Sequence, residues 1–176
     1  MKITCSALKF LRGFPVVILI MVLVNSISTY GQEISTSDQE IKSAKHNATE
    51  AFNYAEKVRS TEVFSDAKSY IQILLSAAKE AKTATVNAEK LLIEQEKQIS
   101  NSTNKELIEN IKDQREEMNR AVEEATILYN FAEKAANAND LETLHHCSWE
   151  ISKASKRIIK QAEATQRYAS SSDTKK

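Results

Sequence analysis

The chain has 176 residues, with 24 Lys+Arg against 24 Asp+Glu, two Gly, one Pro and two Cys. Gly13, Gly31 and Pro15 all fall in the first 31 residues, so everything after them is free of both helix breakers. That excludes a Gly-rich phosphate loop, a dinucleotide fingerprint and a nucleophile elbow from the remainder. It also removes the residues that sheets use at their turns, leaving an all-α chain as the expectation.

The N-terminal segment reads as an export signal. Lys2, Lys9 and Arg12 form a basic start, the run Phe14 to Val24 is apolar, and Thr29-Tyr30-Gly31 supplies small residues at a cleavage site before Gln32. The competing reading is an uncleaved anchor, but 11 apolar residues fall short of the roughly 20 that a spanning helix needs. Cys5 precedes the apolar run, where a lipid-anchor cysteine would follow it. Removal of 1–31 takes three basic and no acidic residues, leaving 21 Lys+Arg against 24 Asp+Glu, a formal charge of −3. Without a basic excess, nucleic acid is not an expected partner. Cys147 is then the only cysteine, so no intrachain disulfide is expected.

From Gln32 onward the sequence reads as helix throughout. Ser37-Asp38-Gln39-Glu40 and Thr103-Asn104-Lys105-Glu106 have the form of capping boxes. Ser60 or Thr61 before Glu62, and Asn139 or Asp140 before Glu142, are weaker starts. Four helices are predicted, at about 37–59, 62–99, 104–137 and 140–169. The first two could also run on as one bent helix, since no Gly or Pro separates them.

The apolar spacing alternates three and four. Helix one carries Ile41, Ala44, Ala48, Ala51, Ala55 and Val58. Helix two runs from Phe64 through Ile71, Leu74, Thr85 and Leu92 to Gln95 and Ile99. Helix three gives Ile108, Ile111, Arg115, Met118, Val122, Ala125, Tyr129, Ala132 and Ala136, and helix four gives Leu141, Leu144, Ser148, Ile151, Ser155, Ile158, Ala162 and Thr165. A seven-residue period implies coiled-coil-like packing at about +20°. A second apolar row in helices two and three widens the face beyond what a two-stranded coil buries, favouring an antiparallel four-helix bundle.

There is an internal repeat. Phe52-Asn53-Tyr54-Ala55-Glu56-Lys57 aligns with Tyr129-Asn130-Phe131-Ala132-Glu133-Lys134 at an offset of 77 residues, with the apolar phase kept on both sides. Two duplicated hairpins, 37–99 and 104–169, are predicted within a bundle spanning 32–170, followed by a disordered polar tail at 171–176. The repeated surface residues are either paired binding spots or remnants of duplication.

Candidate sites are few. Glu142-Thr143-Leu144-His145 is an E-x-x-H, but a carboxylate-bridged di-metal bundle needs two such units and no second one occurs. Glu142, His146 and Glu150 share one helix face at i, i+4 and i+8, with Cys147 nearby; a solvated polar face explains them equally well. As a nucleophile Cys147 would need a histidine from another helix, and His46 is the sole one. Trp149 either anchors an interface or caps the core. Arg115 falls in the seam, where a structural polar layer with Gln95, joined by Glu94 or Glu96, is predicted to fix register. Asn47 and Asn101 match the glycosylation pattern, Asn101 in the inter-hairpin loop and Asn47 mid-helix.

The function expected is non-enzymatic. An exported bundle, secreted or periplasmic, would bind a protein or a component of the cell envelope or extracellular space. The alternative is a bundle holding a metal or a small ligand. No cofactor and no membrane span after signal cleavage are expected.

Overall fold

The computed structural model describes the backbone of residues 14–171 and the side chains of residues 37–170. The chain falls into two units, Met1–Ser35 and Thr36–Lys176. Four helices make up the described residues: α1 (Phe14–Arg59), α2 (Phe64–Ile99), α3 (Lys105–Ala136) and α4 (Leu141–Ser171). The first thirteen residues of the expected export signal and residues 172–176 of the expected tail lie outside the described ones.

In the second unit the helices form an all-α bundle of two hairpins, α1·α2 and α3·α4. All four contribute to a central core: Ala48, Ala51 and Ala55 from α1, Leu74, Ala77 and Ala78 from α2, Ala125, Leu128 and Ala132 from α3, Ile151, Ala154 and Ile158 from α4. A second cluster, with Val58, Ile71, Leu144 and Cys147, closes the end that carries the α1–α2 and α3–α4 turns. A third, with Ile41, Leu92, Met118 and Ala162, closes the other end. Alanine and serine dominate where helices meet, so backbones can approach closely and larger Leu and Ile side chains fill the layers between them.

Every apolar seam position predicted for helix one is buried. In helices two and four only the first positions, Phe64 and Leu141, are partly exposed. Helix three differs. Its buried row is Ile111, Gln114, Met118, Ala121, Ala125, Leu128, Ala132 and Ala135. From Arg115 onward every second seam position is therefore shifted by one residue, Gln114, Ala121, Leu128 and Ala135 replacing Arg115, Val122, Tyr129 and Ala136, while the predicted seam residue Ile108 is only half-buried. The turn of the helix follows from desolvation. It buries Ala121, Leu128 and Ala135 and leaves the Arg115 guanidinium and the Tyr129 hydroxyl at the rim, where water reaches them.

The helix starts also differ in part. No helix begins at Ser37: α1 is continuous from Phe14 to Arg59. A capping box acts only where amides lack an intrahelical acceptor, and here the preceding turns are already helical. Ser37 is instead buried, and its hydroxyl accepts from the Gln95 amide at 3.2 Å. At α3 the cap is Asn104 rather than Thr103, its side chain accepting the Leu107 N–H at 3.1 Å. At α4 the cap is Asp140, which accepts the Thr143 N–H at 2.7 Å and the Thr143 hydroxyl at 2.8 Å. Those bonds hold its carboxyl below the ordinary carboxylate range, the backbone N–H most of all.

Helices α1 and α2 are separate, although neither Gly nor Pro parts them. The Ser60 and Thr61 hydroxyls both donate to the Lys57 carbonyl, at 3.0 and 2.7 Å. Local bonds of this kind compete with the helical ladder. Val63 then takes an extended backbone, φ −106° and ψ 121°, and α2 begins without a side-chain cap.

Among the described residues, two core hydroxyls have no hydrogen-bond partner. Ser148 Oγ and Ser155 Oγ are buried without a partner. A desolvated hydroxyl lacking a bond is unfavourable, and Ala is the better helix former. Ser148→Ala and Ser155→Ala are each expected to leave stability unchanged or raise it by up to about 1 kcal/mol, measured by urea unfolding. A loss above that size would mean that these hydroxyls are bonded in solution.

Candidate functional site

The sites suggested by the sequence are spread over several places in the bundle. On α4, Glu142 and His146 are exposed, and Glu150 pairs with Lys153 at 3.5 Å. Cys147 points the other way, fully buried beneath the turn end among Val58, Ile71 and Leu144. Burial pushes its thiol up from the ordinary value, which the Lys134 charge only partly offsets. A thiol so placed stays protonated at neutral pH and is a poor nucleophile. His146 lies edge-on to Phe131, ring centroids 6.2 Å apart, and His46 is on the exposed side of α1. Among the described residues no three His, Cys, Asp or Glu side chains converge to hold a metal ion.

Arg115 and Gln95 go to different partners. Arg115 Nη1 pairs with Glu96 Oε2 at 3.1 Å across α3 and α2, both side chains partly exposed, while Gln95 is buried and bonded to Ser37. Two inter-helix polar contacts thus sit near the same end, one in the core and one at the rim. A rim ion pair contributes little, so Arg115→Leu is expected to change unfolding stability by less than about 1 kcal/mol. A larger loss in urea titration would show a stronger, desolvated pair.

Trp149 is 46% exposed. His145, Trp149 and Ser152 share one face of α4 at i, i+4 and i+7. That face meets the first hairpin, since His145 Nε2 lies 2.9 Å from the Thr61 carbonyl and the Ser152 hydroxyl donates to Glu56 at 2.9 Å. Trp149 therefore stands at the rim of the α1·α4 groove. The Lys153 ammonium covers its ring at 3.8 Å from the centroid, a cation–π contact. The indole is held by the bundle, yet half of it faces solvent.

The repeated hexads have mostly structural work. Lys156 of α4 lies over Phe52 of α1 at 4.9 Å, and Lys82 of α2 lies over Tyr129 of α3 at the same distance. Glu56 accepts from Ser152, and Glu133 accepts from the Tyr129 hydroxyl at 2.7 Å, which raises the phenol. Beside Tyr129, the residues Lys79, Lys82, Thr83, Val86 and Asn87 border an open surface groove of about 340 Å³. Asn47 is buried and its amide donates to Ser43 at 3.3 Å, whereas Asn101 is exposed in the loop between the hairpins.

A pair of contacts not legible in the motifs ties the hairpins together at the turn end. The Lys68 ammonium of α2 donates to the carbonyls of Ala136 at 2.6 Å, Ala138 at 2.8 Å and Ala135 at 3.4 Å. It thereby adds a cation at the negative end of α3, bonding the Ala136 carbonyl and the Ala138 carbonyl of the turn beside Ala135 O, which also accepts the Ala138 N–H at 3.2 Å. His145 does the corresponding work for the other turn. A carbonyl only accepts, so its Nε2–H donates to Thr61 O.

Comparisons with family models, with curated proteins and with solved structures give no match. Within residues 37–170 no helical stretch is long and apolar enough to cross a membrane.

Proposed function

We propose that this chain is an exported, non-enzymatic helical-bundle protein that works by holding another macromolecule, a protein or a component of the envelope or extracellular space, against its outer surface. The observation that carries the reading is Trp149, 46% exposed on a helix locked into the bundle. A large aromatic held in place loses little conformational freedom on binding, which is why Trp is enriched among residues that dominate interface energies. Lys153 above the ring and Glu150 beside it supply a polar rim. Export rests on the basic, apolar and small-residue pattern of residues 1–31.

Two measurements test the reading together. The protein isolated from its native source is expected to begin at or near Gln32, read by N-terminal sequencing. A photoreactive residue at position 150, beside the indole, is expected to cross-link a partner in the exported fraction, and Trp149→Ala to reduce that yield at least tenfold with unchanged thermal unfolding. A cytoplasmic product beginning at Met1 contradicts export. Equal cross-linking with and without the indole contradicts the interface.

A small-ligand reading rests on the groove beside Tyr129, where two lysines and a phenol edge meet. Calorimetric titration with small carboxylates tests it, and loss of any binding heat in Lys79→Ala would locate the site.

A further inference from the structure

The two turn contacts are related by the same offset as the sequence repeat. Lys68 and His145 are 77 residues apart, and so are their acceptors Thr61 and Ala138. Lys68 of the first hairpin reaches Ala138 in the turn of the second, and His145 of the second reaches Thr61 in the turn of the first. The cation–π contacts follow the exchange at the level of helices, α4 covering the aromatic ring of the α1 hexad and α2 that of the α3 hexad, with the covering lysine shifted by about one turn, from the position of Lys156 to that of Lys82. When i meets j and the counterpart of i meets the counterpart of j, the interface is isologous, the pattern of a two-fold dimer. Here two halves of one chain meet as two subunits would.

The third turn stands apart. Residues 100–104 make only local hydrogen bonds among the described residues: Ser100 N–H and Oγ to Lys97 O, Ser102 N–H to Ile99 O, Asn104 N–H to Ser102 Oγ, and the Leu107 and Ile108 N–H groups to Asn104. Asn101, Ser102 and Thr103 are exposed. Each turn inside a hairpin is thus held by the opposite hairpin, while the turn between hairpins has no such hold.

We propose that this chain pairs with a second copy of itself by exchanging hairpins across the 100–104 turn, the first hairpin of each copy docking on the second hairpin of the other. Every contact between hairpins is reproduced in the exchanged form, including both turn latches. Only the path of the linker and the freedom of the second chain differ; the 100–104 turn is long enough for α3 to fold back on α2, and shortening it favours exchange by preventing that return.

The test shortens that turn in the full chain. The parent chain is expected to shift from the single to the double mass by light scattering as its concentration is raised, and deletion of Asn101–Thr103 to give the helical double-mass species already at concentrations where the parent is single. A parent that keeps the single mass at every concentration overturns the proposal. In that dimer Lys68→Met is expected to lower the urea midpoint as it does in the parent. A helical monomer after the deletion overturns the proposal, and so does a dimer indifferent to Lys68. Should the shortened chain lose its helices, complementation decides. Full chains carrying Leu74→Asp or Ile151→Asp each damage one hairpin and are expected to be unfolded alone. Refolded together, they are expected to yield a heterodimer that regains about half of the parent helical signal, from the one bundle whose hairpins are both intact. A mixture that shows no more helix than the separate chains overturns the exchange.

Discussion

Leu74→Ala and Ile151→Ala are each expected to lower stability by roughly 2–5 kcal/mol. Both side chains are fully buried in the central cluster. The surroundings place the cost high in that range. Most members of that cluster, among them Ala48, Ala51, Ala77, Ala78 and Ala125, have side chains of one carbon that cannot swing into the space left behind, which leaves only larger members such as Leu128 and Ile158 to relax toward it. The cavity persists, and its unfavourable volume adds to the lost transfer energy. Urea unfolding followed by circular dichroism measures both, with the slope against denaturant expected to stay constant. A loss below half a unit for both would mean that the helices pack on other faces.

Lys68→Met has the second largest expected effect, a loss of about 1–3 kcal/mol. Methionine keeps the aliphatic stem beside Phe64, so the difference reports the ammonium. What is lost is a cation bonded to three carbonyls at the end of α3, favourable both as charge-assisted hydrogen bonds and against the helix dipole. The site is part-buried, and water can replace only some of those bonds. His145→Leu, which removes one bond to one carbonyl, is expected to cost less. An effect of Lys68→Met no larger than that of an exposed lysine such as Lys97 would show that the latch is a solvated contact.

Much of the fold is legible in the sequence because it depends on periodicity. Helices one, two and four bury the faces that their apolar spacing marks. Helix three resists because two rows of apolar residues lie side by side, and the pattern alone does not say which pairs with Ile111, Met118 and Ala125. The choice is made by polarity at the edges: Arg115 and Tyr129 need water, and Gln114 tolerates burial better than a guanidinium does. Ser37 shows the limit of local motifs, since its capping-box spelling describes a helix start only where the preceding residues leave the helix.

The contacts between turns are harder to read for a different reason. Lys68 and His145 bond to backbone carbonyls, and a carbonyl acceptor leaves no mark in the sequence. The available signal is the repeat itself, which sets one basic residue against another at matching positions in the two hairpins. Trp149 stands out by composition alone, but its exposure depends on how α4 rolls against α1. The side chains grouped by proximity in the sequence, Glu142, His146, Cys147 and Glu150, are divided by the helix, which turns one inward and three outward.

The claim on which the rest depends is that residues from Thr36 to Arg59 form one cooperative unit with the other three helices. Native-state amide hydrogen exchange tests it most directly. The expected result is that amides around Ala51, Leu74, Leu128 and Ile151 share the slowest exchange, with one free energy that matches global unfolding. Exchange around Ala51 that is much faster than in the other three helices would reduce the bundle to α2, α3 and α4 and contradict the two-hairpin architecture.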